Sequence, residues 1–238
     1  MARGAGLELD PWQAQFARSQ SGRILINCSR QIGKSTTTAV VADHTAFYQP
    51  NSLVLLISRS LRQSQELFIK CLEIYRALGK PIPADAENKL SLELENGSRI
   101  VSLPGKEDTL RGFSGVRLLI IDEAAKVPDA LYKSVRPMLA VSHGRLILLS
   151  SPFGTRGFFY EAYKNRKKWD YYEIPATECP RITPEFLEDE KEDMGEWWFL
   201  QEYMCQFMDS ITSAFRSQDI KQIIKPEVDQ WDLQLQLN

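Results

Sequence analysis

At 238 residues, with 43% apolar and 25% charged side chains, the chain is long enough for one buried core plus an appended subdomain and has an ordinary globular composition. Its four cysteines (Cys28, Cys71, Cys179 and Cys205) form no C-x-x-C pair and lie far from both histidines, which speaks for free thiols in a reducing compartment and against a zinc site. No apolar run reaches the roughly 18 residues of a membrane span, Met1 to Asp10 lacks a signal-peptide core, and a net charge of -2 excludes a whole-surface basic footprint while allowing one local basic face; the expectation is a cytosolic protein.

In chain order, Arg23 to Asn27 is a short apolar run that enters a polar, glycine-containing loop, and Ser35 to Phe47 reads as a helix. Leu53 to Ile57 is a continuous apolar run, as expected for a strand buried on both faces. Leu61 to Leu78 has helical spacing, and Leu90, Leu92 and Leu94 lead through Asn96-Gly97 to Ile100, Val101 and Leu103 as a hairpin. Leu118 to Ile121 and Leu146 to Leu149 are two more buried strands, with a short helix from Asp129 to Val135 between them. The alternation predicts an α/β fold with a mainly parallel sheet. After Pro175 the strand pattern ends. Thr183-Pro184 signals a helix start, and a small helical subdomain is expected, giving a core over 1–175 and a tail over 176–238. Within that tail, Trp197-Trp198-Phe199 reads as core.

Two motifs carry chemistry. Cys28-Ser29-Arg30-Gln31-Ile32-Gly33-Lys34-Ser35-Thr36 ends as a Walker A phosphate loop does, with Cys28 in place of the first glycine. Loop N–H groups and the helix start beyond them suit phosphates. Lys34 suits the β/γ oxygens, and the Ser35 hydroxyl suits Mg²⁺. Leu118 to Ile121 then leads into Asp122 and Glu123, where the first carboxylate suits Mg²⁺ and the second a general base for the attacking water. The order strand, phosphate loop, helix, acidic strand is that of a P-loop NTPase of the RecA-like kind using ATP and Mg²⁺.

Supporting positions follow the same order. The Gln13 amide matches an adenine edge, with Trp12 packing beside it. Arg30 inside the loop suits the γ-phosphate in cis, and Arg111, between Leu110 and Gly112, suits a finger presented to a neighbouring subunit. Ser150 and Ser151 end a core strand where hydrolysis can be sensed. Lys164, Arg166, Lys167 and Lys168 form a basic cluster, read either as a solvated helix end or as a DNA-phosphate contact.

Together, Pro11-Trp12-Gln13, Ser29 to Ser35, Leu110-Arg111-Gly112, Ile120 to Ala124 and Ser150-Ser151-Pro152 resemble the ATPase region of large terminase subunits from tailed bacteriophages, over nearly the whole chain. That resemblance implies adenine recognition at Gln13, phosphate binding at Lys34 and Ser35, magnesium at Asp122, a catalytic base at Glu123, coupling at Ser150 and Ser151, and a trans-acting finger at Arg111. It also implies a lid subdomain in the tail. As partners it implies double-stranded DNA, a homo-oligomeric ring on a portal and a small terminase subunit, working at the procapsid in the host cytoplasm. Family members usually continue into a nuclease domain; with the sequence ending at Asn238, no nuclease activity is expected of it. Two other readings fit the same motifs: the first RecA-like domain of a superfamily 2 helicase, and a nucleotide-gated assembly module without catalysis.

Overall fold

The computed structural model describes residues 1–104 and 112–209. Strands β1 (Arg23–Cys28), β2 (Leu53–Ser58), β5 (Arg99–Pro104), β6 (Val116–Asp122), β7 (Arg145–Ser150) and β8 (Asp170–Ile174) run parallel. Strands β3 (Ala84–Glu87) and β4 (Ser91–Leu94) extend one edge antiparallel, giving the order β3-β4-β5-β2-β6-β7-β1-β8 among the described residues.

The apolar runs divide by parity, because successive strand side chains point to opposite faces. Ile24, Ile26, Val54, Leu56, Leu118, Ile120, Ile147 and Leu149 pack under α2 (Lys34–Tyr48) and α3 (Leu61–Ala77). Leu25, Leu55, Ile57, Leu119, Ile121, Leu146 and Leu148 pack on the other face with α4 (Asp129–Val135) and α5 (Gly157–Lys164). A short helix, α1 (Pro11–Arg18), precedes β1. Burial of both faces explains why the strands read as unbroken apolar segments.

The parallel sheet and the hairpin match the sequence expectations, and the described part of the tail holds helices, while residues 210–238 of that expectation lie outside the described residues. Thr183 caps α6 (Pro184–Met194), its Oγ1 accepting from Phe186 N at 3.2 Å, and α7 (Glu196–Glu202) follows. Ala176, Leu187 and Phe199 form the tail's own small cluster, while Met1–Met208 together make one compact unit. Of the aromatic trio only Phe199 enters that core. Trp198 is 43% exposed, since adjacent helical residues face different directions. Strands β3 and β8 went unread because both are edges, where Asp85, Glu87, Asp170 and Glu173 are tolerated.

Among the buried polar residues, one is a carboxylic acid in the core of a helix. Asp43, in the middle of α2, is fully buried, and neither carboxyl oxygen has a hydrogen-bond partner of ordinary geometry. Burial pushes its pKa well above the usual carboxylate value, and the Cys71 thiol on α3 only partly opposes this. The folded state therefore holds a proton that the unfolded chain releases near pH ~4. This contribution to stability is fully present below that pH and is lost as pH rises through the folded-state pKa. Asp43→Asn should remove the decline, giving a flatter plot of urea midpoint against pH above about 4. Parallel plots for the two proteins would contradict the assignment.

Candidate nucleotide site

The phosphate loop lies between the C-terminal end of β1 and the first turn of α2, where unpaired backbone N–H groups and the helix dipole favour anions. Gly33 sits at the turn with φ 84°, which favours glycine, and a Cβ there would also meet the end of the Gln13 side chain at 2.6 Å and displace its amide. Gln31 is also left-handed, at φ 62°. Ser29 N donates to Ile174 O at 3.0 Å, and Arg30 N to Glu202 O at 3.4 Å, splicing the start of the loop to β8 and to α7. Ile32 is buried, and Ser35 and Thr36 open the helix.

Facing the loop, β6 ends at Asp122, and Glu123 turns the chain with φ 52°, a strained conformation for a non-glycine residue. The turn brings both carboxylates to the strand tip. Lys34 Nζ lies 2.8 Å from Glu123 Oε1, and Lys126 Nζ 3.6 Å from Glu123 Oε2. Burial raises the Glu123 carboxyl, but Lys34, with Lys126 and Arg30, outweighs it and leaves the pKa below the ordinary value. Burial pushes Asp122 up to about 6, with Lys34 opposing it and Glu123 adding to it. Burial works against the Lys34 ammonium as well, yet Cys28, Glu123 and Asp122 raise its pKa net.

Asp122 is 6% exposed, and one of its oxygens accepts from Glu123 N at 2.9 Å. No group of three or more His, Cys, Asp or Glu that could cage a metal occurs among the described residues. One carboxylate plus the Ser35 hydroxyl is a sparse, hard-oxygen donor set. That fits Mg²⁺, which keeps several waters and takes substrate phosphates, better than a metal needing a protein cage. Beside this tip, Ser150 pairs in register with Asn27 of β1, and the Ser150 and Ser151 hydroxyls are buried with no hydrogen-bond partner among the described residues.

A cavity of 470 Å³ lies at the phosphate loop, lined by Arg30, Gln31, Gly33, Lys34, Ser35, Thr36 and Glu123 and also by Gln63, Lys70 and Lys126; Asp122, Ser150 and Ser151 do not line it. Gln63, Lys70 and Lys126 escaped the sequence reading. Gln63 and Lys70 are two helical turns apart on α3 and form no motif; only their shared face could have signalled them. A larger cavity of 1040 Å³, bordered by Leu7, Arg18, His44 and Arg145, holds none of the motif residues.

Other expected residues are differently engaged. The Gln13 amide is buried: Oε1 accepts from Asp10 N at 2.9 Å, and Nε2 donates to Ile32 O at 3.2 Å and Gly33 O at 3.5 Å. Trp12, in the first turn of α1, packs against the core. The Arg30 guanidinium is ion-paired with Glu202 at 2.6 Å. Arg111 lies outside the described residues. Lys164 pairs with Glu161 at 2.7 Å, and Arg166 lies 4.8 Å from the Tyr163 ring centroid. With exposed Lys167 and Lys168 they precede β8, which places the basic cluster at the opposite end of the sheet from the phosphate loop. No helix among the described residues is long and apolar enough to cross a membrane.

Comparison with known proteins agrees with this geometry. The terminase large subunit of Thermus virus P23-45 is 26% identical over 250 residues, covering 88% of this chain and 51% of the relative. The chain thus spans about half the length of the curated relatives it matches. The Thermus phage P74-26 large terminase ATPase domain superposes with a TM-score of 0.78 at 20% identity, over 87% of this chain and 97% of that one. A large terminase from a thermophilic bacteriophage, solved in complex with ADP, superposes with a TM-score of 0.69 at 12% identity, over 84% of this chain and 54% of that one. These likenesses share one fold, an α/β P-loop fold. The family model described as terminase large subunit, T4likevirus-type, N-terminal, matches residues 25–222, and the chain belongs to that family.

Proposed function

We propose that this chain is the ATP-hydrolysing part of a motor that moves double-stranded DNA into a viral procapsid. The observation that carries the reading is the Lys34–Glu123 ion pair at 2.8 Å, which joins the phosphate loop to the acidic strand tip within a terminase-family fold. The family also favours this reading over a helicase or a non-catalytic assembly module.

The N–H groups of Gly33 and Lys34 and the Lys34 ammonium bind the ATP phosphates. An arriving phosphate draws Lys34 away from Glu123, and the freed carboxylate accepts a proton from water for in-line attack on the γ-phosphate. Asp122 and Ser35 would hold Mg²⁺, which supplies charge neutralisation at the phosphate oxygens when bound. Arg30 serves the γ-phosphate after exchanging its Glu202 contact, and Arg111 serves it from a neighbouring subunit. Ser150 and Ser151 donate to the phosphate or to water there and transmit the change along β7. Adenine recognition by Gln13, with Trp12 beside it, requires the amide to exchange its loop contacts. Residues 176–238 act as the lid subdomain and the start of a linker.

Lys164, Arg166, Lys167 and Lys168 contact DNA phosphates from the far end of the sheet. The working assembly is a homo-oligomeric ring on a portal, with a small terminase subunit, at the procapsid in the host cytoplasm. ATP turnover measured with duplex and with single-stranded DNA tests the substrate. Stimulation by duplex is expected; stimulation confined to single strands would favour the helicase reading.

A further inference from the structure

Arg181, in the segment between β8 and α6, was not singled out by any motif. Its guanidinium grips Asp10 with both arms, Nη1 to Oδ1 at 2.9 Å and Nη2 to Oδ2 at 2.8 Å, and Nη2 also donates to Ile32 O at 3.3 Å. The same carbonyl accepts from Gln13 Nε2 at 3.2 Å. The next carbonyl, that of Gly33, accepts from Gln13 Nε2 at 3.5 Å and from Thr37 N at 3.2 Å.

A trans peptide unit puts its carbonyl and its N–H on opposite sides. Arg181 holds the Ile32 carbonyl and so turns the Gly33 N–H the other way; the Gly33 carbonyl, held by Thr37 N of the helix and Gln13, sets the Lys34 N–H, and both residues line the cavity. Those are the donors a phosphate needs.

We propose that Arg181 is a positioning residue that, anchored by Asp10, pre-orients the phosphate-binding N–H of Gly33 through the Ile32 carbonyl and so makes nucleotide affinity depend on where the tail sits. The inference rests on the nucleotide-binding reading of the loop. Arg181 acts through the backbone and touches no reacting atom, so its removal weakens binding and leaves chemistry intact. Asp10, whose side chain is 11% exposed, is the anchor that orients the fork.

The test is calorimetric titration with ADP and steady-state ATP hydrolysis for the wild type, Arg181→Ala, Arg181→Lys and Asp10→Asn. Arg181→Ala should raise the ADP Kd and the ATP KM by about tenfold, the scale of a lost charge-assisted hydrogen bond, with kcat within about twofold. Arg181→Lys should recover part of the loss, because one ammonium cannot reproduce the fork. Asp10→Asn should weaken binding in the same sense, with kcat kept. Unchanged Kd and KM in Arg181→Ala, or a fall in kcat with KM constant, overturns the proposal. A drop in thermal midpoint that accounts equally for all three variants does so too. Wild-type protein that binds no ADP and turns over no ATP would instead overturn the nucleotide reading of the site.

Discussion

Glu123→Gln should lower ATP turnover by about 10²- to 10⁴-fold, the usual contribution of a positioned general base, while nucleotide binding survives. The amide keeps the size of the carboxylate but cannot accept the proton of the attacking water. Binding should hold or tighten, because Lys34 loses the charged partner it now has at 2.8 Å and is freed for phosphate. Phosphate release and ADP titration on the same preparation separate the two effects. Loss of binding together with turnover would mean that Glu123 supports the loop rather than the chemistry.

Lys34→Ala should have the opposite signature and abolish binding first. The Lys34 side chain is 12% exposed, and its ammonium sits between the loop and the acidic tip. Removing one partner of a buried, hydrogen-bonded charge pair costs about 2–5 kcal/mol, and here the lost partner is also a phosphate donor. Among the described residues, Glu123 then keeps only Lys126, at 3.6 Å, within salt-bridge reach. With its chief counter-charge gone, the Glu123 carboxyl should titrate higher than in the wild type. ADP titration by calorimetry reads the effect, and wild-type affinity in the variant would remove Lys34 from the site.

What was legible in the sequence was local in the chain. The parallel strands announce themselves because helices cover both faces, leaving unbroken runs such as Leu53 to Ile57. Gly33-Lys34-Ser35 and Asp122-Glu123 are each contiguous, and each follows a strand that delivers it to the same end of the sheet. The residues that escaped reach the site from a distance. Arg181 meets Ile32 across 149 positions, and no spacing rule encodes that contact. Gln13 stood out in the sequence from its place before the first strand. Which way its amide faces depends on Asp10, Ile32 and Gly33, and in this structure it faces the loop. Glu202 likewise holds Arg30 only because α7 folds back beside the start of the loop.

The measurement that tests the central claim most directly is ATP turnover per chain, with Mg²⁺ present, across a wide range of protein concentration, with Glu123→Gln alongside. The account predicts wild-type hydrolysis that disappears in the variant. A specific rate that climbs with concentration would place Arg111 of one subunit at the site of the next, and a flat rate would leave Arg30 as the arginine that completes each site. Turnover that persists in Glu123→Gln, or ATP binding without hydrolysis at every concentration, would contradict it.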